Sequence, residues 1–222
     1  MFLCAQARPR WNNATNSWWG GKLGCWPIGR IGVAQRNSAN RPRGTPIWEN
    51  INITRALYRS TLIEKLLPAI EQKWPLLNTS AIHIQQDGTR SHIYPHDAAF
   101  CTAVEEKGLN LELYTQPANS PDLNLLDLGF FRAIQSYNDV CPKDEFELIS
   151  AVENAFDAYP REKINRIWLT LQGCMNSIID DSGNNNYKIP HMGKERLENL
   201  GQLPTVLDAT DRAAKYLLDG LE

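Results

Sequence analysis

Hydrophobic and polar positions alternate with two different periods along the chain, and these periods predict both strands and helices. Met1 to Ala7 and Gly21 to Ile28 are short apolar runs bounded by turn residues, which predicts two strands paired as a hairpin. From Thr54 to about Lys73, apolar residues recur every three to four positions, which predicts an amphipathic helix capped by Thr54.

The middle of the chain repeats this alternation. Ala81 to Asp87 reads as a strand, His96 to Lys107 has helical character, and Leu109 to Thr115 reads as a further strand. A strand, a crossover helix and another strand are typical of an α/β sheet. We therefore predict that these two strands lie in one sheet with the first two.

The clearest helix start in the sequence follows the strand that ends at Thr115. Asn119 or Ser120 is suited to cap the helix, Pro121 to its first turn, and Asp122 to the positive end of the helix dipole. Asp127 then lies one to two turns into the helix.

Helical spacing continues over Asp144 to Tyr159 and over Glu162 to Ile179, and a polar loop follows from Asp180 to Asn186. The pattern predicts an α/β fold in which helices flank a mixed sheet. We divide it into a core, residues 1–142, and a helical C-terminal extension, residues 143–222.

Composition adds little that is specific. Hydrophobic residues make up 42% and charged residues 22%, as is usual for a soluble globular protein, and no apolar run approaches the ~18 residues of a membrane span. The first residues lack the basic region of a signal peptide, so we expect a soluble intracellular protein. The five cysteines show no Cys-x-x-Cys spacing, which favours neither a disulfide framework nor a zinc ribbon.

Charge is distributed unevenly. Residues 1–86 contain eleven lysines and arginines against three acids, a net charge of +8, and the rest of the chain carries −10. The Pro- and Gly-broken loop from Arg36 to Pro46 is the best candidate for contact with phosphate, through Arg36, Arg41 and Arg43. Charge alone fits equally well with a loop that is merely solvated.

Two aspartates carry the strongest functional signal. Thirty-nine residues separate Asp87, at the end of a predicted strand, from Asp127, near the start of a predicted helix. Carboxylates in such positions can form an oxygen-rich site for a divalent metal, which supports phosphodiester chemistry. The local pattern alone favours an ordinary turn residue at Asp87, and Asp127 alone could be a helix residue that faces solvent.

The residues around both aspartates resemble a known family. Gln85-Gln86-Asp87 with His92, and Ser120-Pro121-Asp122-Leu123-Asn124 leading to Asp127, resemble the second and third acidic motifs of mariner-type transposases. These transposases belong to the DDE/DDD superfamily. The interval of thirty-nine residues, and an aspartate rather than a glutamate as the third acidic residue, match the branch typical of plant and related eukaryotic mariner-like elements. Further matching segments are Phe2-Leu3-Cys4-Ala5, Asn40-Arg41-Pro42-Arg43-Gly44-Thr45, Trp168-Leu169-Thr170-Leu171-Gln172 and Tyr187-Lys188-Ile189-Pro190-His191-Met192.

The resemblance implies a ribonuclease H-like core and metal-dependent cutting and joining of DNA. Asp87 and Asp127 would be the second and third ligands of two Mg²⁺ or Mn²⁺ ions, and His92 would support the site. The implied partners are the DNA of element ends and target, and either a second copy of the chain or a full-length transposase. The implied location is the nucleus.

The chain also departs from the family. Residues 1–86 contain no aspartate, whereas the family's first aspartate lies on a strand upstream of the match to Met1. We therefore expect the sheet to lack its first strand and the chain to be a truncated, inactive copy. Gly88-Thr89 replaces the usual Asn-Ala beside the site. The alternatives are a non-catalytic remnant that binds DNA or a transposase, and a stand-alone metal nuclease.

Overall fold

A computed structural model of the chain describes residues 1–39, 41–75, 81–136, 141–184, 186–212 and 214–215. Within these ranges the protein is a mixed α/β structure of short sheets and helices. Asn40 in the predicted basic loop, Asn185 in the predicted polar loop, and residues 213 and 216–222 of the predicted C-terminal extension lie outside the described residues.

Eight strands form four two-stranded sheets in the described part of the chain. Strand β1 pairs with β4, β2 with β3 and β5 with β6, all antiparallel, whereas β7 and β8 are parallel. The strands are β1 Phe2–Gln6, β2 Arg10–Asn12, β3 Ser17–Trp19, β4 Lys22–Pro27, β5 Gly29–Val33, β6 Pro46–Asn50, β7 Ile82–Gln86 and β8 Leu111–Thr115.

The helices follow the predicted order. They are α1 Arg55–Thr61, α2 Leu67–Lys73, α3 Ala98–Glu106, α4 Phe131–Ser136, α5 Glu145–Ala158, α6 Arg161–Asp180 and α7 Lys194–Asn199. A π-helical turn, Leu62–Leu66, joins α1 to α2. A short helical segment, Leu126–Phe130, precedes α4 and is kinked at Gly129, whose φ of 179° is not helical. No helix within the described ranges is both long and apolar enough to cross a membrane.

The predicted helix from Thr54 to Lys73 is confirmed, with one irregularity. The Thr54 hydroxyl accepts a hydrogen bond from the Leu57 backbone N–H at 3.2 Å, so Thr54 is the N-cap. Pro68 cannot donate a backbone hydrogen bond to the preceding turn, and the helix widens to a π-helical turn just before it. The apolar stripe of α1 and α2 is thereby kept on one side.

The antiparallel pair β1–β4 confirms the predicted pairing of the first two apolar runs and lies between two core clusters. Leu3 and Ala5 pack against a first cluster, built from the α1–α2 helix, β7, β8 and α3. Phe2 and Cys4 point the other way, to a second cluster around the fully buried Phe130. Successive residues of a strand face opposite sides, so β1 contributes to both clusters.

The second cluster joins residues on either side of position 142. Phe130 packs edge to face on Phe156 and Tyr159, each at 5.8 Å between ring centroids, and Ile164 of α6 completes the group. The helices that follow residue 142 therefore share a core with the residues that precede it.

The predicted single mixed sheet is not continuous. Strand β1 is hydrogen-bonded to β4 and β7 to β8, but the described strands show no ladder between β1 and β7. The two pairs contact the same helix, α1–α2, and no described strand pairs with both of them. Two hairpins, β2–β3 and β5–β6, extend from this framework and were not predicted.

Candidate functional site

Both aspartates lie at the same end of the parallel pair. Asp87 directly follows β7, and the chain that follows β8 leads to Asp127 in the kinked helical segment Leu126–Phe130. Because β7 and β8 are parallel, with Gln86 opposite Thr115, their carboxyl ends meet at one edge. This edge is where open α/β sheets usually place their sites.

The segment between β8 and α4 differs from the predicted helix start. Pro121–Leu123 forms one turn of 3₁₀ helix, and the side chain of Ser120 does not cap it. The chain then becomes extended at Asn124, whose side-chain oxygen accepts the Leu126 N–H at 3.0 Å. Asn124 therefore caps the helical segment that carries Asp127, because the 3₁₀ turn separates Ser120 from it.

Two glutamines of β7 hold the surrounding loops. The Gln85 amide donates to the carbonyl of Leu123 at 2.6 Å and so ties the strand to the 3₁₀ turn. The buried Gln86 donates to the carbonyl of Ile93, which closes the loop that begins at Asp87. Sequence analysis assigned Gln85 and Gln86 only to a motif, and the structure shows that they orient the site.

Asp87 is held by a turn and by a histidine. Its Oδ1 accepts the Thr89 backbone N–H at 2.8 Å, and His92 Nδ1 lies 2.9 Å from the same oxygen. Burial acts to raise the pKa of Asp87, but hydrogen bonds from Thr89 and the charge of His92 outweigh it, so that the pKa is lowered. Asp87 is therefore ionised over a wide pH range.

His92 has a fixed position beneath this carboxylate. Its ring stacks on the buried Tyr58 of α1 at 4.1 Å between centroids and 25° between planes. Its backbone carbonyl accepts the Arg55 Nε–H at 3.0 Å. Burial, and then the charge of Asp87, raise the pKa of the Tyr58 hydroxyl. The structure thus places the predicted support residue His92 against Asp87, where it orients the carboxylate.

Asp127 is the more exposed of the two carboxylates. Its Oδ2 accepts a hydrogen bond from the Asn124 amide at 2.9 Å, and its Oδ1 has no hydrogen-bond partner within the described part of the chain. Burial, and then the negative charge of Asp87, raise the pKa of Asp127. The two predicted site residues are therefore close enough to interact electrostatically, although their pKa values shift in opposite directions.

This arrangement fits a weakly held, hydrated divalent cation. Mg²⁺ usually retains several waters and binds through one or two carboxylates together with substrate phosphates. Asp127 offers an open oxygen and Asp87 an ionised carboxylate, and a cation between them would relieve their repulsion. Within the residues that the structure describes, no group of three or more His, Cys, Asp or Glu side chains could hold a metal ion.

The predicted basic loop lies at the tip of the β5–β6 hairpin. Backbone and side-chain hydrogen bonds fold the tip on itself: Ser38 N–H donates to the Arg41 carbonyl at 2.9 Å, and Arg43 N–H donates to Asn37 Oδ1 at 2.6 Å. Arg36, Arg41 and Arg43 are all exposed, and their guanidinium groups have no ion-pair partner among the described residues. Their charge is free to meet a polyanion.

Sequence reasoning missed three residues of the site. Tyr58 could not be found, because it comes near Asp87 only through the packing of α1. Thr89 holds Asp87 through its backbone N–H, and a pattern of side chains gives no sign of such a contact. Of the three, only Asn124 could have been found from the sequence, because asparagine is a good N-cap residue and Asn124 lies two positions before Leu126, whose N–H it accepts.

Comparison of the chain with family models, with curated proteins and with solved structures finds no match.

Proposed function

We propose that this chain is a mariner-type transposase core of the DDE/DDD superfamily, which binds DNA and a divalent metal ion but does not cut DNA by itself. The observation that carries the proposal is that Asp87 and Asp127 lie at the same carboxyl edge of β7 and β8, where the charge of Asp87 contributes to the raised pKa of Asp127. A pair of carboxylates that interact unfavourably is a cost to the fold unless a cation binds them. The residues around both aspartates also resemble the transposase motifs.

The finer fold that we propose is ribonuclease H-like. Its sheet would contain the β1–β4 pair and the β7–β8 pair on either side of the position of a first strand. Support comes from the packing, because Leu3 and Ala5 of β1 and Ile82 and Ile84 of β7 all contact the first cluster. Two parts of one sheet would cover the same helices in this way.

The proposed metal is Mg²⁺ or Mn²⁺. When bound, such an ion supplies charge that polarises a phosphate and lowers the pKa of a bound water. In this chain Asp87 and Asp127 would hold the ion, while His92, Thr89 and Asn124 keep the carboxylates in place. We propose that cleavage requires a third carboxylate, because the described residues bring only two together.

Calorimetric titration with Mn²⁺ tests the metal site. Wild-type protein is expected to bind the ion, and Asp87→Asn and Asp127→Asn are each expected to weaken binding at least tenfold. Asp122→Asn is the matched control, because it removes the same charge from the 3₁₀ turn without touching either carboxylate. If Asp87→Asn and Asp127→Asn bind Mn²⁺ as tightly as Asp122→Asn does, the metal site is wrong and so is the proposal.

A plasmid-nicking assay with Mn²⁺ tests the absence of cleavage. We expect no nicking by wild-type protein above the level of Asp87→Asn. Nicking that disappears in Asp87→Asn and Asp127→Asn but remains in Asp122→Asn would mean that two carboxylates suffice. In that case the chain would be an active nuclease.

The second candidate function is a non-catalytic DNA-binding protein of the same origin, and the three unpaired arginines of the β5–β6 tip favour it. Combined replacement Arg41→Ala and Arg43→Ala should lower the slope of log affinity against log salt by up to about 1.8, since each lost phosphate contact accounts for about 0.9. Arg30→Ala is the control, because Arg30 lies in the same hairpin but pairs with Glu49 at 2.8 Å. If the slope of log affinity against log salt does not change, the tip does not contact DNA and is merely a solvated loop.

The proposed partners are DNA and either a second copy of the chain or a full-length transposase, and the proposed location is the nucleus. Strands β1 and β7 each pair with a single described strand, and the backbone groups of their other edges are open to pairing, which supports association with another chain. Sedimentation at several protein concentrations tests self-association, and a single monomeric species at all of them would exclude the homodimer.

A further inference from the structure

A cavity of about 610 Å³ lies between the β2–β3 hairpin, the start of α6 and the segment that follows α7. Its volume falls within the range of about 300–1,000 Å³ that is usual for small-molecule sites. Two tryptophans and three arginines are prominent in its lining, namely Trp11, Trp18, Arg8, Arg10 and Arg161. The cavity shares no lining residue with the carboxylate pair or with the tip of the β5–β6 hairpin.

The two tryptophans give the cavity an aromatic wall. Trp11 and Trp18 are opposite each other in the β2–β3 pair, and their rings meet edge to face with 6.0 Å between centroids. They are 43% and 46% exposed, which is high for so large an apolar side chain. The Arg161 guanidinium lies 4.8 Å from the Trp18 ring centroid, whereas no described cation covers Trp11. The ring of Trp11 is therefore available for stacking.

Arg8 supplies a fixed positive charge without a counter-ion. Its guanidinium donates to the side-chain oxygens of Gln172 at 3.0 Å and Asn165 at 3.5 Å, and to the backbone carbonyl of Thr205. All three acceptors are neutral. Burial, and then the nearby charge of Arg10, lower the pKa of Arg8, which shows that its charge is not compensated.

Arg10 is held in place by aromatic rings. Its guanidinium lies over Trp74 at 4.5 Å and over Trp19 at 5.6 Å from the ring centroids. It forms no ion pair with any described carboxylate. The stacking fixes the orientation of the guanidinium and leaves its N–H donors free for an anion.

The acidic residues of the lining do not cancel these charges. Glu162 is paired with Arg161 at 2.6 Å, and Glu198 accepts from Arg166 Nε at 2.8 Å. Each carboxylate already has its own arginine. Arg8 and Arg10 thus remain as the uncompensated charges beside an exposed aromatic ring.

We propose that this cavity binds a nucleotide, with the base stacked on Trp11 and the phosphate at Arg8 and Arg10. A flat aromatic ring and an adjoining anion are the two properties that the lining complements. Two sources share this chemistry, namely a free nucleotide and an unpaired nucleotide of a DNA strand. The site goes beyond the proposed metal function and does not depend on it.

The test measures the affinity of wild-type and variant protein for a fluorescent single-stranded oligothymidylate by anisotropy, with unlabelled thymidine monophosphate as competitor. Trp11→Ala should weaken binding about tenfold, because loss of one base–aromatic stack corresponds to a factor of roughly 5 to 150. Trp11→Phe, which keeps an aromatic ring, should retain most of the affinity. Arg10→Gln should reduce the salt slope by about 0.7, the value for one phosphate of a single strand.

Two controls separate this site from other effects. Arg30→Gln removes an equal charge from the β5–β6 hairpin and should leave the affinity for the oligothymidylate within twofold of wild type. Binding is measured without divalent metal ions, so that failure of the metal site does not affect the outcome. Thermal midpoints within a few degrees of wild type confirm that each variant is folded.

The competitor identifies the source of the nucleotide. If thymidine monophosphate displaces the fluorescent oligothymidylate at concentrations near the dissociation constant of the monophosphate, the cavity binds a free nucleotide. If only an unlabelled oligothymidylate displaces it, the cavity binds a nucleotide of a DNA strand. Wild-type affinity in both folded variants, Trp11→Ala and Arg10→Gln, would overturn the proposal.

Discussion

Replacing Asp127 by asparagine should stabilise the metal-free protein at neutral pH. The pKa of Asp127 is raised by burial and by the charge of Asp87, so the ionised carboxylate opposes folding above that pKa. Asparagine removes the charge and can still accept the hydrogen bond from Asn124. As the pH falls through the raised pKa, wild-type Asp127 becomes neutral as well, and the advantage of the variant should disappear.

The magnitude is limited by exposure. Asp127 is exposed and the Asp87 side chain is 37% exposed, so water screens their repulsion. Charge pairs in such positions are worth about 0.2–1 kcal/mol. For a protein of this length that corresponds to a shift of at most about 4 °C in thermal midpoint. The opposite sign is expected at Asp87: its pKa is lowered, so Asp87→Asn should lose stability at neutral pH, and the difference should vanish as the pH falls through the folded-state pKa.

Differential scanning fluorimetry between pH 3 and pH 8, with and without Mn²⁺, gives the required comparison. At a Mn²⁺ concentration 100 times the dissociation constant, wild type should gain about 2.7 kcal/mol, or about 5–11 °C, whereas Asp127→Asn should gain much less. Asp122→Asn serves as the control and should respond to Mn²⁺ like wild type. A metal-free Asp127→Asn variant that melts below wild type at pH 7 would refute the electrostatic reasoning.

Three further predictions concern the framework. Phe130→Ala should lower the free energy of unfolding by about 3–5 kcal/mol, because Phe130 is fully buried in the second cluster; urea denaturation measures it, and a loss below about 1 kcal/mol would contradict the packing. Thr54→Ala should cost about 1 kcal/mol through the lost N-cap, measured in the same way, with Thr54→Ser as a near-neutral control. Iodoacetamide at pH 8 should alkylate the exposed Cys141 well before Cys4 and Cys25, whose thiols are hydrogen-bonded at 2.8 Å. This hydrogen bond, followed by burial, raises the pKa of Cys4; equal alkylation rates of the three cysteines by mass spectrometry would contradict the prediction.

The strongly periodic elements could be predicted from sequence because each buries one face. The predicted strand Ala81 to Asp87 is β7, Ile82–Gln86, and the helix that begins after Thr54 ends at Lys73, as expected. The hairpin β5–β6 was missed because Gly29–Val33 contains two glycines and alternates too weakly to read as a strand. The pairing of β5 with β6 joins residues separated by a long loop, and a local sequence pattern carries no information about such pairing.

The candidate site could be predicted in part. Asp87 and Asp127 follow from the resemblance of their spaced motifs to a known family, because the local pattern alone favours a turn residue at Asp87. The stacking of His92 on Tyr58 brings together residues from two elements, so the local sequence gives no sign of it. The hydrogen bonds of Asn124 arise from the break between the 3₁₀ turn and the helical segment that carries Asp127, whereas the pattern predicted one continuous helix.

The kink at Gly129 makes the orientation of Asp127 sensitive to chain length. Phe130 is fixed in the core on one side of the kink, and Asp127 lies on the other side, in the segment that Asn124 caps. A one-residue deletion between Asp127 and Phe130 would change the angle of the kink and move the carboxylate from its position relative to Asp87. The site can therefore be lost through a change of length that retains every aspartate, histidine and arginine of the chain.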